Sequence, residues 1–184
     1  MIILGVDPGT RRTGVGLIES QGNRHRYIHA ETITIPTSLP LADKLSKIYQ
    51  KLSQAITQYR PDILALEDIF YGKDIRAMVR IGEARACAML AASEHNINVV
   101  EYAPLLVKQS VTGNGRASKI QTQRMVKTLL SMKTEVETDA ADALAVALCH
   151  HHQWTRMIPE TRQRIGKKRT FEDLIMKGSR CIVT

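Results

Sequence analysis

Residues 2–35 read IILGVDPGTRRTGVGLIESQGNRHRYIHAETITI, and the fold class follows from their punctuation. Ile2–Asp7 is a short apolar run stopped by Pro8 and Gly9, the pattern of a buried strand that ends at Asp7. Thr13–Glu19 alternates glycine with Val, Leu and Ile and reads as a second strand. Arg26–Ile35 carries β-branched residues with a period of two and reads as a third. The links between them, PGTRR and SQGNR, are short and turn-like. Three successive strands joined by tight turns predict an antiparallel meander.

The period then changes. Leu41, Leu45, Ile48, Leu52, Ile56 and Tyr59 recur at spacings of three and four, which predicts an amphipathic helix between Pro40 and Pro61. Asp62–Glu67 (DILALE) follows as a fourth strand, residues 74–94 as an Ala-rich helix, and Asn98–Tyr102 as a fifth strand stopped by Pro104. Two more helices are predicted over about 118–132 and 138–153. A meander followed by alternating helix and strand gives an α/β domain, a five-stranded mixed sheet with helices on both faces. The ribonuclease H-like fold has this order. The domain is expected to span 1–154.

Composition limits the function. Among 184 residues, 43% are hydrophobic and only 4% aromatic, so aliphatic side chains and Met must fill the core of a single domain. The net charge of +8 points to a polyanionic partner such as nucleic acid. Residues 155–184 hold eight Lys/Arg and three acids, +5 of that total, so the body is only mildly basic. This basic C-terminal tail reads either as a solvated, poorly ordered extension or as a DNA arm. Three scattered cysteines, Cys87, Cys149 and Cys181, form no CxxC pair and argue against disulfides and a zinc site, as fits a reducing cytosol. The histidine run 150–152 is read as a frayed, solvated helix end, with metal binding as the alternative. No signal peptide or membrane-length apolar run is found, and the expected location is the cytoplasm.

Candidate chemistry lies in the acids. Asp7 ends the first strand, where open α/β sheets place their sites, although Asp-Pro-Gly is also good turn chemistry. Glu67 ends the fourth strand and Asp68 follows it. Strand side chains alternate, so the two cannot face one site. Asp139 and Asp142 share a face of the last helix, with Thr138 as its expected N-cap. They could be there only for the helix dipole. Yet two acids among Ala, Leu and Val on a buried helix call for a cation. An all-oxygen set suits Mg²⁺, with Mn²⁺ as a substitute, and two such ions can activate water at a phosphodiester.

Four stretches, LGVDPGTRRTGVGLI, PDILALEDIF, EYAPLLVKQSVTGNGRASK and DAADALAVAL, resemble in residues and order the bacterial RuvC family of Holliday junction resolvases, over about residues 1–153. The resemblance implies a ribonuclease H-like homodimer that cuts four-way junction DNA by paired symmetric nicks, uses two Mg²⁺ ions per subunit and works beside a branch-migration motor of the RuvA and RuvB type. It places the family's four acids on Asp7, Glu67, Asp139 and Asp142, choosing Glu67 over Asp68. It places the site lysines on Lys108 and Lys119 and the base-stacking aromatic on Phe70. The two lysines flank GNGRAS, which contains Arg116 and lets a phosphate backbone approach. Phe70 and Tyr71 precede Lys73 and Arg76, an aromatic-cation set suited to a splayed base; a core role for Phe70 is the other reading. Two positions depart from the family, Asp74 for a frequent Asn and Ala86 for a common Gly. The alanines of helix 74–94 (Ala84, Ala88, Ala91, Ala92), near Met78 and Ile81, are the expected two-fold contact. A rival, the actin and sugar-kinase type of nucleotide-binding module, shares the look of GVDPGTRRTG but needs two lobes.

Overall fold

The computed structural model describes residues 1–69 and 74–157. Three strands open the chain, β1 (Ile2–Asp7), β2 (Arg12–Gln21) and β3 (Arg24–Thr34). They are followed by α1 (Leu41–Tyr59), β4 (Ile63–Glu67), α2 (Ile75–Glu94), β5 (Asn98–Tyr102), α3 (Pro104–Thr112), α4 (Lys119–Leu129) and α5 (Thr138–Met157). The sheet order is β3-β2-β1-β4-β5. The meander is antiparallel, and β4 and β5 join β1 in parallel.

The predicted mixed sheet is therefore present, with one helix more than expected among the described residues. Pro104 does not only stop β5; it opens α3 at a position where the missing N–H costs nothing. Val107 and Val111, one turn apart, bury the inner face of that helix. At its other end, Gly113 takes φ +78° and closes it.

Strand alternation divides the core in two. Leu4, Val6, Val15, Leu17, Leu64 and Leu66 point to α1 and α2. Ile3, Ile18, Ile63 and Ala65 point to the other face, against α3, α4 and α5. The alanines of α2 are part of the first layer: Ala84, Ala88, Ala91 and Ala92 are at most 1% exposed. This corrects the expected two-fold contact, because those methyls are already used within the chain. The histidine run is corrected too. His150 and His151 are 3% and 2% exposed, so this part of α5 is packed and not frayed.

Helix α5 lies unusually close to the sheet, because β1 and β2 present glycine to it. A Cβ at Gly5 would stand 2.1 Å from the carbonyl oxygen of Ala143, at Gly14 1.9 Å from that of Asp139, and at Gly16 2.6 Å from the nitrogen of Leu144. The helix backbone rests directly on the strands, as no residue with a side chain would allow.

Candidate active site

Asp7 shares its strand face with Ile3 and Gly5, the face toward α5, and Glu67 shares that of Ile63 and Ala65. The parallel register pairs Val6 with Leu66, so the next step sets Asp7 beside Glu67 at the carboxyl end of both strands. Asp68 points the opposite way and accepts from Arg85, Nη1 to Oδ1 2.5 Å. Arg85 is 8% exposed and also binds Glu101. Alternation thus gives a physical reason for separating Glu67 from Asp68.

The glycine contact then lowers the start of α5 onto the site. Gly14 pairs with Asp7 across β1 and β2, and it is the residue against which the Asp139 backbone rests. Carboxylate oxygens of Asp7, Asp139 and Asp142 lie within 4.8 Å of one another. The expected N-cap moves by one residue: the carbonyl of Glu137 accepts the first helical bond, from Ala141 at 2.9 Å, and Thr138 lies inside the first turn.

A cleft of about 300 Å³ runs from these acids toward α3 and α4, lined by Asp7, Glu67, Asp142, Lys108, Lys119 and Thr122 among others. Lys119 is the first residue of α4. That turn is fixed by a capping box in which Ser118 and Gln121 satisfy each other's backbone N–H. Its Nζ lies 2.5 Å from Asp142 Oδ2. Arg12 takes the other helical acid, Nε to Asp139 Oδ2 2.6 Å, and also binds Glu137. Arg12 was not singled out from sequence; its place two residues before Gly14 was the available signal. Arg116 and Arg76 are exposed, on the α3–α4 loop and on α2. Phe70, Tyr71 and Lys73 lie outside the described residues. Asp74 caps α2, accepting from the Ala77 N–H at 3.0 Å, a role Asn fills equally well.

Electrostatics show what the acids need. Burial raises the Asp7 carboxyl far above the ordinary range, and the adjacent Glu67 adds to it. Glu67 is raised by burial as well, although its hydrogen bond with Asp7 opposes the shift. Asp142 is raised by burial against the pull of Lys119. Burial would lower Lys119, but Asp142 outweighs it and the net shift is upward. In the metal-free protein Asp7 therefore keeps its proton and donates it to Glu67. Clustered half-buried carboxylates at a solvent-reached cleft are a poor arrangement for anions alone and a good one for a hard divalent cation. The all-oxygen donor set fits such an ion.

A ribonuclease H-like sheet with acids converging from two strand ends and one helix, lysines opposite, defines the class: a nuclease of the ribonuclease H-like type. The family model for crossover junction endodeoxyribonuclease RuvC matches residues 3–150, and the chain belongs to that family. A RuvC from Desulforamulus reducens is 49% identical over 156 residues, covering 84% of this chain and 95% of its own. One from Alkaliphilus oremlandii is 46% identical over 153 residues, 83% and 93% of the two chains. Among solved structures, Thermus thermophilus RuvC in complex with a Holliday junction superposes with a TM-score of 0.79 at 28% identity, covering 85% of this chain and 96% of that one. The yeast mitochondrial Holliday junction resolvase, at 0.60 and 14% identity, covers 84% and 78% and shares the fold.

Proposed function

We propose that this protein is a structure-selective endodeoxyribonuclease that resolves Holliday junctions by paired symmetric nicks, in DNA recombination and repair in the cytoplasm. The observation that carries the reading is the convergence of Asp7, Asp139 and Asp142 within 4.8 Å, in a cleft that Glu67, Lys108 and Lys119 also line. Asp7, Glu67, Asp139 and Asp142 hold Mg²⁺, two ions per subunit, with Mn²⁺ able to substitute. When bound, the ions lower the pKa of water and neutralise charge on the phosphate.

The chain's own residues supply positioning. Lys119, fixed by its capping box, and Lys108, one turn before the end of α3, place two cations opposite the acids, where they hold the phosphate oxygens. Arg12 and Lys119 cover Asp139 and Asp142 until the metal arrives. Cleavage leaves 5′-phosphate and 3′-hydroxyl ends. Arg116 on the α3–α4 loop, Arg76 on α2, and Phe70, Tyr71 and Lys73, which precede it in sequence, are the further DNA contacts; of the basic tail expected over residues 155–184, Thr155, Arg156 and Met157 belong to α5 and residues 158–184 lie outside the described residues.

Symmetric cutting requires a homodimer, since one subunit nicks one strand. Its contact is the outward stripe of α2, where Ile75, Val79 and Leu90 stay 70%, 54% and 60% exposed. Exposed apolar side chains aligned on one helix face suit a second copy of the same face. Val79→Glu is expected to give a monomer by analytical ultracentrifugation that nicks a junction in one strand only. A branch-migration motor of the RuvA and RuvB type is the partner on the same junction.

The decisive experiment incubates the protein with a four-way junction and Mg²⁺. Point-symmetric cuts, abolished in Asp7→Asn with junction binding kept, are the expected result. Unchanged cutting by Asp7→Asn removes the metal-site assignment, and binding without cuts by the parent chain removes the nuclease reading.

A further inference from the structure

Away from the carboxylates, three imidazoles meet. His25 comes from the start of β3, and His151 and His152 from the distal half of α5. One ring nitrogen of each lies within 4.8 Å of one from each of the others. His152 is ten residues beyond Asp142 on the same helix, about 15 Å at the α-helical rise. The two clusters are therefore separate.

The rings are tilted and not stacked. The centroids of His25 and His151 are 4.9 Å apart at 70°, those of His25 and His152 6.0 Å at 76°, and those of His151 and His152 5.5 Å at 56°. Imidazoles bound to one zinc at tetrahedral angles, with metal–nitrogen bonds of about 2.0–2.1 Å, have centroids about 5 Å apart. The observed spacings bracket that arrangement from 4.9 to 6.0 Å.

Each ring is also held from behind. The carbonyl of Leu129 lies 3.1 Å from His25 Nε2. Ser110 places its carbonyl and its Oγ each 3.1 Å from His152 Nδ1. Ser20 Oγ, in a 6% exposed residue, lies 2.7 Å from His151 Nδ1, and His151 also meets the Asn23 main chain. Carbonyl and hydroxyl partners of this kind fix ring orientation and tautomer in histidine metal sites. With Nε2–H of His25 given to Leu129, Nδ1 is left with the lone pair. That nitrogen is buried and has no hydrogen-bond partner among the described residues. Burial shifts the pKa of both His151 and His152 downward.

We infer that His25, His151 and His152 form a second metal site, for zinc or a similar borderline transition ion, with the fourth position left to water. Three nitrogens are the wrong donors for Mg²⁺ and suitable ones for zinc. The expectation of no zinc site rested on the cysteines and did not weigh His25, which is distant in sequence. The site joins the β2–β3 hairpin to α5 and, through Ser110 and Leu129, braces α3 and the end of α4. Its role is a structural staple, independent of the nuclease reading.

The test uses the full chain, stripped of metal, loaded with Zn²⁺ and dialysed against excess Mg²⁺. One zinc per chain is expected to remain, and Co²⁺ in its place is expected to give the intense visible absorption of a tetrahedral site. His25→Gln and His152→Gln are each expected to lose the zinc, the cobalt spectrum and the rise in Tm on zinc addition, with Mg²⁺-dependent junction cleavage unchanged. Asp7→Asn is expected to keep all three. If His152→Gln does not fold, His25→Gln, on a half-buried hairpin residue, decides alone. Zinc retained by His25→Gln, lost in Asp7→Asn, or absent from the parent chain overturns the site.

Discussion

Replacing Gly14 by alanine tests how the helical acids reach the sheet. The added Cβ would stand 1.9 Å from the Asp139 carbonyl oxygen and 2.5 Å from its carbonyl carbon. Ordinary contact begins near 3.4 Å, so the start of α5 must retreat by about 1.5 Å. The obstacle is backbone, which has no rotamer to escape into. Asp139 and Asp142 retreat with it, away from Asp7, which pairs with Gly14 across the strands. A displacement of about 1 Å at a reacting centre costs about 10²-fold in rate. Overpacking of this kind costs about 1–3 kcal/mol of stability, a fall in Tm of about 3–10 °C for a domain of this size. Junction cleavage under single-turnover conditions and differential scanning fluorimetry read the two effects. Gly82→Ala is the control: among the described residues its Cβ meets only the Ile69 Cδ1, at 3.5 Å, and helix propensity predicts an unchanged or slightly raised Tm. Wild-type cleavage and Tm in Gly14→Ala would refute the close-contact account.

Three further outcomes follow from the charges. The raised carboxyls of Asp7, Glu67 and Asp142 mean that the metal-free fold binds protons the unfolded chain has released, so its stability is lost as pH rises from the ordinary carboxylate range through neutrality. In EDTA, Tm is expected to fall over that window; Mg²⁺ is expected to flatten the fall, and Asp7→Asn to raise the EDTA Tm at neutral pH. Arg12→Ala frees Asp139 from a competing cation, and the Mg²⁺ titration of cleavage is expected to move to lower concentration; an unmoved midpoint would show that Arg12 is not a competitor. Arg85→Met leaves Asp68 and Glu101 without their shared partner. The expected loss in urea denaturation is about 2 kcal/mol, less than for a fully buried pair because both acids keep nearly half their surface in water.

The sequence by itself determined the sheet and its helices, because hydrophobic period is a local property. Period two in Thr13–Glu19 and the three-four spacing of Leu41 to Tyr59 mark their elements without reference to any partner. It also proposed the acids, since Asp7 and Glu67 are strand ends and the DxxD of α5 stands out among alanines. It did not show α3, because Pro104 ends a strand and opens a helix with the same residue. What only the tertiary structure decided are contacts across long separations. Arg12 meets Asp139 127 positions later, and Ser20 meets His151 131 positions later. The glycines of β1 and β2 looked like ordinary strand residues until α5 was seen lying on them. Glycine's lack of a side chain is a local fact, but the backbone that exploits it is set by how the whole chain folds back on its sheet.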